Sequence, residues 1–264
     1  GDIAAQKVNI DRRYASSYLK HPKLSSHAKK LLESDKRVIY NQFGTKTGRL
    51  TTKPTSFPIL TLPQSLRKAV KPQNDIYVEI DFNGAEVRTL LGLLGKEQPL
   101  EDIHEFHLTS VFKTLTTRAE AKGSFFAWLY GSKKATNMKQ SNKLDEFYHK
   151  AVILDKFFKD STVKTLFGKK IENVSQHHAL NYIIQSTTAE LCLKQFLKVN
   201  FLLSQHTKSH VAFLIHDSIV LDMRREDLKT IDNILKLMRS TNFGQFAVNI
   251  KKGKNLGEMI PWIK

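Results

Sequence analysis

A chain of 264 residues with 41% hydrophobic content can bury one large core or two smaller ones. Its 42 Lys and Arg against 25 Asp and Glu leave a formal charge of +17, a surface that attracts a polyanion by counterion release, nucleic acid first and an anionic membrane surface second. No apolar run is long enough to span a bilayer, no lipidation or signal motif stands in the sequence, and the single Cys192 makes no internal disulfide and is expected in the core.

In chain order, residues 2–36 are polar and basic and read as helix and connector, while residues 37–72 are broken by Gly48, Pro54, Pro58 and Pro63 into a looped path. In "DIYVEIDFNGAEVRTLLGLLG", Ile76, Val78 and Ile80 alternate as one face of a strand that ends at Asp81. Ala85, Val87, Leu90, Leu91 and Leu94 then fit a helix stopped by Gly95. Residues 102–176 are mostly helical in pattern. "TTRAEAKGSFFAWLYG" has Thr116 or Thr117 as N-cap and Gly131 as terminator, and places Arg118, Lys122, Phe126 and Tyr130 four apart along one face. "TVKTLFGKKIE" predicts a hairpin turning at Gly168, and "NYIIQSTTAELCLKQFLKVNFLL" a long helix. "FLIHDSIVLD" predicts a second hairpin with His216 and Asp217 at its tip, followed by a helix over 226–241 and a strand at "FAVNIKKGKN". Interleaved helices and strands without an internal repeat predict an α+β fold with an antiparallel sheet.

Two acids stand out: Asp81 at a strand end and Asp217 at a hairpin tip. His and Asp are ordinary turn residues, so the hairpin alone reads equally well as a plain turn. Paired carboxylates are also the recurring means of holding two divalent metals for phosphoryl transfer, and Mg2+ suits oxygen ligands. Likewise Arg118 and Lys122 with two aromatic rings form either a solvated stripe or a face that holds a triphosphate and offers ring surface to a base. The two acids, the cationic face and the net charge together favour the functional reading of each.

These stretches resemble the polymerase domain of family A DNA polymerases. "DFNGAEVRTL" resembles motif A, "RAEAKGSFFAWLYG" motif B and "IHDSIVLD" motif C, with "TGRLTT", "DIHEFH", "NYIIQSTTAE" and "GKNLGEM" also matching in order, from about Val38 onward. The resemblance implies a right-hand architecture with an antiparallel palm sheet and helical fingers. The segments it implies are a helical connector or thumb remnant over 1–37, palm over 38–101, fingers over 102–176 with the motif B helix at about 116–131, and palm again over 177–264.

It further implies that Asp81, Asp217 and the Phe82 carbonyl hold two Mg2+ ions, with Mn2+ able to substitute. Arg118 and Lys122 would bind the triphosphate, with Lys122 as general acid to pyrophosphate, while His104 is equally a phosphate contact or a helix-start residue. Phe126 would stack on the incoming sugar and base. Glu86, hydrogen-bonded to Tyr130, would be the gate that selects dNTPs over rNTPs. Arg49 and Gln185 would test the minor groove at the primer end; His216, Arg67 and Asn181 would contact primer or template. The implied partners are primer-template DNA and dNTPs, with no membrane and an intracellular location.

Three departures matter, one being that "TTKPTSFPILTLP" lacks the asparagine expected after "TGRL", which removes one expected minor-groove contact. Ser218 follows His216 and Asp217 where the family usually has an acid, so an auxiliary carboxylate is missing. Single-subunit RNA polymerases often show His-Asp-Ser, which keeps an RNA polymerase or primase-like enzyme as an alternative, beside a non-catalytic nucleic-acid-binding subunit. Fewer than fifty residues precede Thr47, where family members usually carry a thumb and often an exonuclease domain. Either the sequence is trimmed from a longer chain, or the enzyme is a reduced polymerase with a thumb-supplying or processivity partner; weak processivity is the expectation for these residues alone.

Overall fold

A computed structural model describes residues 6–115, 117–132 and 138–263. The chain forms two compact units, one of residues 1–82, 193–238 and 248–264, the other of residues 83–192 and 239–247. In chain order the elements used below are β1 (Ile76–Phe82), α1 (Ala85–Leu93), α2 (Ile103–Phe106), α3 (Arg118–Leu129), α4 (Gln176–His206), β2 (His210–Ile215), β3 (Ser218–Met223), α5 (Ile231–Arg239), β4 (Val248–Gly253) and β5 (Ile260–Pro261).

The first unit is built on a five-stranded antiparallel sheet in the order β5-β4-β1-β3-β2. The alternation expected along β1 is present, but Tyr77 and Val78 are both buried, because this central strand is covered on both faces at its base. Tyr77, Phe213, Ile215 and Val220 share one core with Phe57, Ile59 and Leu66 from the proline-broken segment and with Ala28 and Leu31 from the helix Ser25–Glu33. Polar side chains order the looped segments that have no ladder of their own. The Tyr40 hydroxyl donates to the Leu214 carbonyl at 2.9 Å and accepts from the Leu214 N–H at 2.7 Å, fixing the looped path to β2. Asp222 on β3 accepts from the backbone N–H groups of Gln73 and Asn74 at 2.7 and 2.9 Å, fixing the approach to β1.

Two elements depart from the expected boundaries. The helix expected over 226–241 begins as a 3-10 turn, Arg225–Thr230, and its α-helical part stops at Arg239. Asp227 accounts for the tight start, since its carboxylate accepts from the Ser209 hydroxyl at 2.7 Å and the Lys208 N–H at 3.2 Å. The last strand begins at Val248; Phe246 before it is buried, and its N–H donates to the Arg239 carbonyl.

The second unit packs α1, α2, α3 and the first half of α4 with the helices Met138–Tyr148 and Lys150–Phe157 and a three-stranded sheet whose turn holds Gly168. Its core centres on Phe125, whose ring lies 5.2 Å from His107, 5.7 Å from Trp128 and 6.1 Å from Tyr148. The chain enters this unit at Asn83, where Gly84, at φ 65°, turns it straight from β1 into α1. Cys192 is buried, as expected, and no helix among the described residues is long and apolar enough to cross a membrane.

The motif B helix α3 starts with a capping box. The Thr117 hydroxyl accepts from the Glu120 N–H at 3.2 Å while the Glu120 carboxylate accepts from the Thr117 N–H at 3.1 Å. Thr116, the other candidate cap, lies outside the described residues. Gly131, at φ 69°, ends the helix as expected. Replacing Thr117 by Ala is expected to lower unfolding stability by about 1 kcal/mol in denaturant titration; an unchanged midpoint and slope would show that the box contributes nothing.

Candidate functional site

In the first unit, antiparallel pairing places Ser218 opposite Asp81 and Asn249 on Asp81's other side. Asp217, the residue before Ser218, therefore stands at the same end of the sheet as Asp81. Its carbonyl accepts the Phe82 N–H at 3.4 Å. The connection is a two-residue tip in which His216 is exposed and holds the left-handed conformation at φ 53°. Burial pushes the Asp217 carboxyl up, with Arg49 and His216 partly offsetting it. Burial, then Arg49 and Arg67, push His216 down against the opposite pull of Asp217. His216, Asp217, Arg49 and Arg67 thus act on one another electrostatically. Half-buried Arg67 is held by an Nε–H bond to the Leu62 carbonyl at 3.2 Å.

Ser218 has a structural use. Its hydroxyl lies 3.2 Å from the Glu79 carboxylate and 3.0 Å from the Ile215 carbonyl, acceptors on β1 and on the first side of the hairpin. Glu79 is a residue that the motifs did not single out. Period-two alternation along β1 would have found it, because it lies two residues before Asp81 on the same strand face.

The oxygen-rich composition of this end fits a hard divalent cation. Asp81, Asp217 and the Phe82 carbonyl are all oxygen donors, and a cation would stabilise the ionised form of Asp217 that burial disfavours. Among the described residues no group of three or more His, Cys, Asp and Glu could hold a metal.

In the second unit, the motif B face is laid out along α3. Arg118, Lys122 and Tyr130 are exposed and Phe126 is half-buried. The Phe126 and Tyr130 rings stack at 5.9 Å and 18°, and His104 lies 6.2 Å from Phe126. Arg118 is not an isolated cation: its Nε and Nη2 each donate to Asp102 at 2.8 Å. Asp102 is not among the site residues that the motifs single out, although an Asp two residues before His104 at a helix start has the pattern of an N-cap, and it does cap α2. Burial pushes its carboxyl up, but hydrogen bonds from Arg118, Asn83 and the Glu105 and His104 N–H groups outweigh this and hold it well below the usual carboxylate range.

Glu86 is buried in the first turn of α1. His104 is buried in the first turn of α2, and burial with the nearby Arg118 and Lys122 charges pushes it down to about 4. Asn181 and Gln185 are half-buried one turn apart on α4.

No protein-family model matches this chain. The DNA polymerase I of Borreliella burgdorferi is 23% identical to it across 83% of this chain and 29% of that protein. Among solved structures, the POL domain of Pol1 from M. smegmatis, in complex with DNA primer-template and dNTP, matches with a TM-score of 0.73 and 16% identity over 89% of this chain and 51% of that one. The chain thus spans under a third of the curated relative's length and about half of the solved chain's. Its α+β fold is that of the solved polymerase domain, and the two comparisons together support the resemblance to family A polymerase domains.

The buried histidines set an acid limit. His107, fully buried with its Nε2 2.5 Å from the Tyr148 hydroxyl, is pushed down to about 3 by burial and by His104. Both histidines have folded values below the unfolded value of about 6.5, so the stability they contribute as neutral groups is complete above that pH and is lost as pH falls towards 4 and 3. The melting temperature should therefore drop on acidification below pH about 6.5, and more shallowly in His107→Phe. An equal acid slope in the variant would contradict the assignment.

Proposed function

We propose that this chain is the polymerase domain of a DNA-templated DNA polymerase, adding dNTPs to a primer 3′-hydroxyl by two-metal-ion transfer and releasing pyrophosphate. The observation that carries this reading is the β1–β3 register, which sets Asp81 beside the hairpin tip that bears Asp217. Two Mg2+ ions, or Mn2+ in their place, would activate the attacking hydroxyl and neutralise charge on the transferred phosphoryl group. Asp81, Asp217 and the Phe82 carbonyl are the residues that would hold them.

The chain's own groups then bind and orient. Arg118, Lys122 and His104 hold the triphosphate; His104, neutral at pH 7, contributes as a hydrogen-bonding group rather than a charge. Lys122, exposed on α3, delivers a proton to the leaving pyrophosphate. Phe126 stacks on the incoming sugar and base, with Tyr130 continuing the ring surface. Glu86 gates the ribose 2′-position. Arg49 and Gln185 probe the minor-groove acceptors common to all base pairs, and His216, Arg67 and Asn181 contact primer or template backbone. Palm and fingers in this reading are the segments at 38–101 with 177–264 and at 102–176. The α+β fold, the cationic surface and the relative named DNA polymerase I support the reading. Neither comparison speaks for a thumb-supplying protein partner.

Three measurements on the full chain test it. Asp217→Asn should lower primer extension on the order of a thousandfold, the loss of several kcal/mol of charge stabilisation, while duplex binding stays within a few-fold; wild-type extension by the variant would overturn the metal assignment. Glu86→Ala should raise use of rNTPs relative to dNTPs by about tenfold or more, and an unchanged ratio would remove the gate. Affinity for primer-template should decline linearly on a log-log plot against salt, with a slope of about 0.9 per phosphate contacted; a flat response would make the +17 charge irrelevant to DNA.

A further inference from the structure

Arg118 stands at the exposed end of a hydrogen-bonded chain that begins in the core of its unit. Arg88 is fully buried, and its Nε donates to the Asn83 carbonyl at 2.6 Å. Its Nη1 and Nη2 donate to the Pro99 and Glu101 carbonyls at 2.6 and 2.9 Å, and Nη2 also reaches the Asn83 side-chain oxygen at 3.1 Å. That oxygen accepts the Ile103 N–H at 2.9 Å, so the Asn83 side chain has one orientation, with its amide donating to Asp102 Oδ2 at 2.8 Å. Asp102 Oδ1 accepts the N–H groups of His104 and Glu105 at 3.0 and 3.2 Å. The carboxylate then closes on Arg118 with two bonds of 2.8 Å.

Capping α2 accounts for the bonds from the His104 and Glu105 N–H groups, and the part-exposed pair with Arg118 adds only about 0–1 kcal/mol to stability, so folding alone gives little reason to clamp Arg118 with two bonds. Asp102 receives donors from Arg118, Asn83, His104 and Glu105, which saturates the roughly four lone-pair sites of a carboxylate. It has no capacity left for a metal or a substrate hydroxyl. What it does is hold a guanidinium still. Of about five N–H groups on a guanidinium, Asp102 takes one on Nε and one on Nη2. Of the three that remain, one on each of Nη1 and Nη2 form the outer edge, which matches a phosphate bidentately. Lys122 follows one turn along α3 and Phe126 one turn beyond it.

We propose that Asp102 is a positioning residue: it grips one edge of Arg118 and presents the other edge, in a preset orientation, to the phosphates of a nucleoside triphosphate. This rests on the polymerase reading for the identity of the triphosphate. The arrangement has two opposed consequences. A carboxylate beside the guanidinium weakens its attraction for a polyanion in the ground state. The fixed geometry favours the in-line arrangement needed for transfer. Removing the carboxylate charge therefore strengthens binding and slows chemistry, a split that loss of a merely structural contact does not produce.

The test is a double-mutant cycle on the full chain with Asp102→Asn, Arg118→Ala and the pair, Asn being retained because it still caps a helix. Binding of inorganic tripolyphosphate is measured by calorimetry without DNA, and kcat and KM for dNTP by single-nucleotide primer extension. Asp102→Asn should bind tripolyphosphate several-fold more tightly, lower kcat by about tenfold or more and leave KM for dNTP no higher. In the Arg118→Ala background the same change should alter neither quantity. Equal effects of Asp102→Asn with and without Arg118, or no effect on either quantity, would overturn the proposal. If the wild-type chain extends no primer, the polymerase reading fails on that result, and the tripolyphosphate cycle still decides whether Asp102 acts through Arg118.

Discussion

The pairing of β1 with β3 is the constraint on which the rest of the site depends. Asp81 and Asp217 lie 136 positions apart in sequence, and only the register Ser218 to Asp81 brings them to one end of one sheet. A slip of one residue would send every side chain of β3 to the opposite face and take the Ser218 hydroxyl away from Glu79. The register is held from both ends. Asp222 grips the chain entering β1, and the two-residue tip with left-handed His216 leaves no slack between β2 and β3. The placement of the two acids and the core packing are thus specified by the same hydrogen bonds.

The two units treat charge differently. At the sheet end, burial pushes the Asp217 carboxyl up, a bias that a bound divalent cation would offset. In the second unit the cations are already compensated or exposed: Arg118 is paired with Asp102, Lys122 reaches solvent, and the nearby His104 is kept neutral by burial and by those two charges. Placing Asp102 against Arg118 limits the local positive potential while preserving a directed donor edge. In the proposed reading, such a site would recognise a polyanion by geometry as much as by total charge.

Much of the fold was legible where the signal is local. The alternation Ile76, Val78, Ile80 marks β1, the Thr117 and Gly131 boundaries bracket α3, and Gly168 and the His216–Asp217 pair mark turns. The contacts that arm the site were not, because each joins residues far apart in sequence: Ser218 to Glu79, and Arg118 through Asp102 to Asn83 and the buried Arg88. Ser218 looked like a missing acid in a motif; in the fold it is a buried hydroxyl with two acceptors within reach, one of them a carboxylate on the neighbouring strand. The 3-10 start before α5 was hidden for the same reason, since Asp227 answers to Ser209 and Lys208.

The central claim is that the β1–β3 register makes a divalent-cation site from Asp81 and Asp217. Electron paramagnetic resonance of Mn2+ titrated into the wild-type chain, Asp81→Asn and Asp217→Asn, each with saturating dNTP, reads that site without requiring turnover. The expected result is Mn2+ binding by the wild type that either single substitution weakens sharply. Equal Mn2+ binding by all three proteins would contradict the account.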